Sequence, residues 1–151
     1  MSAASYPVLL TIHLLCALMF VGTVFFEVLV LDSVRRRVPA EAMRAVERGI
    51  GQRVRWLMPI VIVTLFSAGF GLAAHYGEQL THPAGNPFAI LLLLKIGLAC
   101  SVFGHFLLAS YWRMCELFTL RRSRLLHLSV FCHVVLIVLL AKGMFHIQFI
   151  D

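Results

Sequence analysis

Four runs of apolar residues, each about as long as a bilayer is thick, divide this chain, and nearly all of its cationic side chains are kept out of them. A helix needs about 20 consecutive apolar residues to cross hydrocarbon. The runs at about 6–31, 56–74, 88–110 and 125–147 satisfy this. In lipid each backbone N–H and C=O must be paired within its own helix or within a closed barrel. The runs show no alternation of oily and polar residues, and four strands cannot close a barrel. The sequence therefore predicts an all-α fold, a four-helix transmembrane bundle, with residues 1–151 forming a single integral membrane domain.

The placement of arginine orients these spans. All eleven arginines fall within Arg35–Arg55 or Arg113–Arg124, in the connections between spans one and two and between spans three and four. The N-terminal end, the connection at 76–87 and the C-terminal end carry none. Cationic connections stay on the cytoplasmic side, so both termini are expected outside, on the periplasmic face of a bacterial inner membrane, with two Arg-rich cytoplasmic loops. The formal net charge of +6 then faces anionic lipid headgroups rather than nucleic acid. No basic region precedes the first run, which is too long for a signal peptide and reads as a retained span.

In the first cytoplasmic connection, Met43, Val46 and Ile50 recur at helical spacing with Arg44 and Arg48 on other faces. This predicts an interfacial helix at about 40–50, ended by Gly49 and Gly51 before the second span. The cluster from His82 to Pro87 reads as a turn. Cys16, Cys100, Cys115 and Cys132 form no CxxC pair and no zinc spacing, and read as small apolar fillers.

Ionisable residues inside spans are rare and point to function. At about 1.5 Å per residue, His13 on span one and Lys95 on span three lie at similar depth, about 10 Å inside the outer boundary. Lys142, His75 and His146 also lie in the outer half. His105 and His133 form a deeper layer, each about 10–12 Å from the inner boundary. Neutral imidazoles at one depth suit axial ligation of a haem, whose apolar faces fit an oily interior. Gly97, Ser101 and His105 share one helix face at four-residue steps, which leaves room beside the ligand, and Ser129 precedes His133 in the same way. Packing alone competes with this reading. Small residues at such spacing, including Gly69, Ala73 and Gly77, also simply bring helices together, and a lone histidine equally well donates to a neighbouring carbonyl. Lys142 reads as a snorkelling end residue. Lys95 sits too deep for easy snorkelling and suits a propionate or an anionic substrate. Glu27 reads as an interfacial ion pair with an arginine such as Arg113 or Arg124.

The first span, Ile12-His13-Leu14-Leu15-Cys16-Ala17 followed by Gly22, resembles the first helix of the CopD-like (copper resistance D) membrane family. Leu94-Lys95-Ile96-Gly97 with His105 ten residues after the lysine is similar to that group's lysine-bearing helix, a layout shared with the related HemJ-type protoporphyrinogen oxidases. The resemblance implies a four-helix membrane core, a b-type haem, and His13 with Lys95 as the functional pair. Met19 or Phe20 stands where the oxidases carry tryptophan, and Glu27 and Asp32 replace an arginine-containing stretch. The broader CopD-like assignment is therefore the closer one.

Three functional expectations follow. The first is a haem b protein of electron transfer or of a small oxidoreductase reaction, protoporphyrinogen-oxidase-like chemistry included. His105, His133 and His13 would be its metal ligands, Gly97 and Ser101 would line the cofactor, and His13 and Lys95 would be the catalytic pair. The second is copper uptake or resistance, for which Met19, Cys16, His13, Cys132 and His133 offer suitable atoms. The third is an accessory subunit of a larger membrane redox complex. Membrane lipid, a quinone or redox partner protein, and a second copy of the chain are the partners these readings imply.

Overall fold

The computed structural model describes residues 5–81, 85–117 and 119–147, with side chains through Met144. All regular structure among them is helical: α1 (Ser5–Phe25), a π-helical turn (Phe26–Leu31), α2 (Asp32–Arg35), α3 (Ala40–Ala74), α4 (Gly77–Thr81), α5 (Pro87–Met114) and α6 (Leu120–Ile147). Four segments are long and apolar enough to cross a membrane: Ser5–Arg35, Ala40–Ala74, Pro87–Met114 and Leu120–Met144. Leu14, Leu15, Leu18, Phe70 and Leu139 are each more than half exposed. Large apolar side chains exposed in such number along every span suit lipid rather than water. The chain is a multi-pass membrane protein. It forms two compact units, Met1–His75 and Tyr76–Asp151.

In the first unit, α1 and α3 run antiparallel, because early residues of α1 meet late residues of α3. The Tyr6 ring meets the edge of His75 at 5.2 Å between centroids. Leu9 and His13 lie over Gly71 and Gly69, where a Cβ would come within 3.0 Å of Leu9 Cδ1 and 3.1 Å of His13 Cε1. Gly69 thus provides the close approach its small size promised. The second such position is Gly71, whereas Gly77 lies in α4 with open space around it.

The helix expected at 40–50 does not stop at its glycines. It continues through Gly49 and Gly51 into the span as one 35-residue helix. Each glycine costs about 1 kcal/mol in a helix, but the flanking Ala, Arg, Glu and Gln are good helix formers, and continuing the helix keeps every amide paired. At about 52 Å the helix is far longer than the hydrocarbon is thick, so its arginine-bearing first turns project beyond it. Pro59 lies inside the helix and supplies no N–H there.

In the second unit, Asn86 caps α5 by accepting from Ala89 N–H at 3.2 Å, with Pro87 in the first turn. Phe88 and Leu92 pack with Met144 of α6, and Tyr76 and Leu80 close over them. Helix α5 ends with Glu116 at φ 57°. Leu117 N–H bonds to Trp112 C=O at 2.8 Å and Glu116 N–H to Arg113 C=O at 3.3 Å, the paired closure usually built on glycine. Arg122 of α6 lies over the Trp112 ring and donates to Leu117 C=O at 2.8 Å, which ties the connection shut. The expected turn at His82 lies partly outside the described residues.

Candidate functional site

The two deep histidines come together. His105 of α5 and His133 of α6 stand with ring centroids 5.2 Å apart, tilted by 58°, and both are half-buried. Their hydrogen bonds form a closed circuit. His105 Nδ1 donates to Ser101 C=O at 2.7 Å and His133 Nδ1 donates to Ser129 C=O at 2.8 Å, each four residues back on its own helix. The Ser129 hydroxyl reaches His105 Nε2 at 2.9 Å, and the Ser101 hydroxyl reaches His133 Nε2 at 3.1 Å. A carbonyl only accepts, so both Nδ1 atoms carry the proton in the neutral rings. Both Nε2 atoms are then acceptors, and both serine hydroxyls are donors.

The sequence produces this circuit by repetition. Ser-x-x-x-His occurs on both helices, and helical side chains lean toward their N-terminus, so each imidazole reaches its own i−4 carbonyl. Antiparallel packing then sets each serine beside the opposite histidine, with approximate two-fold symmetry. The spacing shows that serine and histidine share a face, which reads as room for a ligand. Only the pairing of the two helices reveals that the serines donate to the opposite imidazoles. Other span hydroxyls bond within their own helix, as Thr11, Thr23 and Ser110 do to the carbonyls four residues back.

His13 belongs to the first unit, where its Nδ1 lies 3.1 Å from Leu65 C=O on α3. Lys95 belongs to the second, half-buried on α5. Gly97 has no atom within 4 Å of the place a Cβ would occupy, so the face beside the circuit is open there. Lys142 is exposed, and the four cysteines are free thiols. His75 turns its Nδ1 to Gly71 C=O at 2.9 Å.

Glu27 is ion-paired with an arginine of its own unit, Arg35. Arg35 is held by three carboxylates: Glu47 at 2.6 Å, Asp32 at 3.1 Å and Glu27 at 3.4 Å. Arg36 adds a bond to Asp32 at 2.7 Å. The π-helical turn, in which Asp32 N–H reaches back five residues to Glu27 C=O, shifts the phase of the helix and brings this local partner round. The arginine network fastens the end of the first span to the start of α3.

As metal donors, the histidine pair has the right chemistry. Each ring has its Nδ1–H held by a carbonyl behind it, as ligating imidazoles usually do, which leaves Nε2 as the donor atom for a metal. A metal at either Nε2 would take the place of a serine hydroxyl. The spacing is more selective. Directly packed helices lie about 8–10 Å apart, too close for a macrocycle standing between their side chains. The pair therefore does not fit two axial bonds to one haem iron within this hairpin. It fits one axial bond from a single imidazole. The centroid separation also matches two bonds of about 2 Å at a tetrahedral angle to one small ion, which would require both Nε2 atoms to turn from the serines they meet here. No third His, Cys, Asp or Glu joins the two among the described residues.

Comparison with protein-family models, curated proteins and solved structures returned no match.

Proposed function

We propose that this chain is a bacterial inner-membrane redox protein of electron transfer or a small oxidoreductase reaction, with a b-type haem held by one imidazole of the His105–His133 pair. The observation that carries the reading is the closed serine–histidine circuit, which holds two imidazoles inside an apolar hairpin, each with Nδ1 turned to a carbonyl of its own helix and Nε2 turned to the opposite serine. Intramembrane ionisable groups are costly and mark functional positions. The haem would supply a one-electron couple. The chain's own residues orient the ligand through the Nδ1–H bond and leave the face beside Gly97 uncovered. Lys95, on the same helix, suits a propionate or an anionic substrate.

A reduced-minus-oxidised visible spectrum of the purified chain, supplemented with haem, tests the reading. A b-type band that His105→Ala or His133→Ala removes, while Ser110→Ala does not, is the expected result. No band in the intact protein ends the haem assignment.

The ring spacing favours one second reading, copper handling, with Nε2 of both histidines on a single ion. Here either histidine substitution alone abolishes stoichiometric copper binding, whereas single-imidazole haem ligation leaves one of the two dispensable.

A further inference from the structure

The first turns of α3 carry a feature that the redox reading does not use. Arg44, Glu47, Arg48, Gly51, Gln52 and Arg55 line an open cleft of about 420 Å³. Arg44, Arg48, Gly51 and Arg55 lie within about 60° of one another round the helix, so the arginines form one stripe. All three are exposed. None has a carboxylate partner among the described residues. The glycine leaves the middle of the stripe open, with nothing within 4 Å of the position a Cβ would take.

Arginines on a solvated helix commonly pair with neighbouring acids, and Glu47 stands ready to do so. Its carboxylate is instead taken by Arg35 Nε at 2.6 Å, from outside the cleft. The arginine network thus removes from the cleft its one lining acid. Three guanidiniums are left facing a shared open space, an arrangement that repels itself unless an anion occupies it.

Depth identifies the anion. The apolar run of α3 begins at Trp56, which is 79% exposed, as an interfacial aromatic is. Arg55 adjoins it, and Arg48 lies about 12 Å further out along the helix axis. The headgroup layer is about 5–7 Å thick on each side, within reach of the Arg55 and Arg48 side chains, while Arg44, about 18 Å out, adds its charge from the aqueous side. We propose that this cleft is a binding site for a phosphate oxyanion, occupied by the headgroup of an anionic phospholipid. Guanidinium forks match phosphate oxygens in pairs, which an ammonium or a neutral headgroup does not reproduce.

The full chain, purified in a neutral detergent and mixed with equal amounts of phosphatidylglycerol and phosphatidylcholine, is read by native mass spectrometry for retained lipid. The expected result is preferential retention of phosphatidylglycerol, falling about fivefold for Arg48→Gln and about a hundredfold for the triple Arg44→Gln, Arg48→Gln, Arg55→Gln. Arg121→Gln, in the other arginine-rich connection, leaves the preference unchanged. Arg35→Gln releases Glu47 into the cleft and weakens retention, and adding Glu47→Gln restores it. The single substitutions carry the test if the triple variant does not fold. A parallel titration with pyrophosphate separates the sources. Pyrophosphate binding lost in Arg48→Gln, without any lipid preference, supports the oxyanion site and assigns it a soluble occupant. Equal retention of both lipids together with no pyrophosphate binding overturns the proposal, as does an Arg121→Gln effect equal to that of Arg48→Gln.

Discussion

Ser129→Ala opens the histidine circuit at one point and leaves the rest in place. His105 keeps its Nδ1–H bond to Ser101 C=O at 2.7 Å, so the ring stays oriented while Nε2 loses the hydroxyl at 2.9 Å. A hydrogen bond between membrane helices is worth about 0.6 kcal/mol on average and up to about 1.7. An acceptor left unpaired in apolar surroundings costs about 1–3 kcal/mol, reduced here because the ring is only half-buried. The expected loss is about 1–1.5 kcal/mol. Ser101→Ala should match it, because the circuit is nearly symmetric. Ser110→Ala, whose hydroxyl bonds to Phe106 C=O on its own helix, should lose less than about 0.5 kcal/mol. Reversible unfolding of the reconstituted chain by rising sodium dodecyl sulfate reads these values. A double-mutant cycle with His105→Ala isolates the cross-helix bond, with an expected coupling of about 1 kcal/mol. A coupling indistinguishable from zero would falsify the circuit.

Three further outcomes follow from the packing. Gly69→Ala places a methyl group 3.1 Å from His13 Cε1 and should cost about 1–2 kcal/mol by the same unfolding assay, whereas in a His13→Ala background it should be nearly neutral. Glu116→Gly relieves a left-handed residue at φ 57° and should raise stability by about 1 kcal/mol; a loss instead would mean that the Glu116 side chain does something not seen here. Arg35→Gln leaves Glu27, Asp32 and Glu47 without their shared cation and should destabilise the protein by about 1–2 kcal/mol at low ionic strength, with a smaller effect at 0.5 M salt.

The spans were legible in the sequence because a bilayer imposes a length and a polarity that no packing detail overrides. The amphipathic start of α3 was legible too, but not its continuity. Gly49 and Gly51 cost the helix only about 1 kcal/mol each, and the good helix formers on either side of them outweigh that. The depth match of His105 and His133 could be read by counting residues, since rise per residue is fixed. What their serines do could not, since that depends on how two helices are rotated against each other. That Glu27 pairs with an arginine could be read from its place at the end of the span, but Arg35 as the partner depends on the π-helical turn at Phe26–Leu31, which changes the helix phase where the pair forms. The tight seats of Leu9 and His13 on Gly71 and Gly69 were visible only as small residues, not as pairs.

The sense in which the serine–histidine ring closes has a consequence for charge movement. A proton wire must be able to reverse each of its links after every passage. Two of the four acceptors here are amide carbonyls, which hold no proton to give back. The ring therefore runs one way round and offers no relay that resets, so the Nδ1 protons stay with their carbonyls whatever meets the Nε2 side.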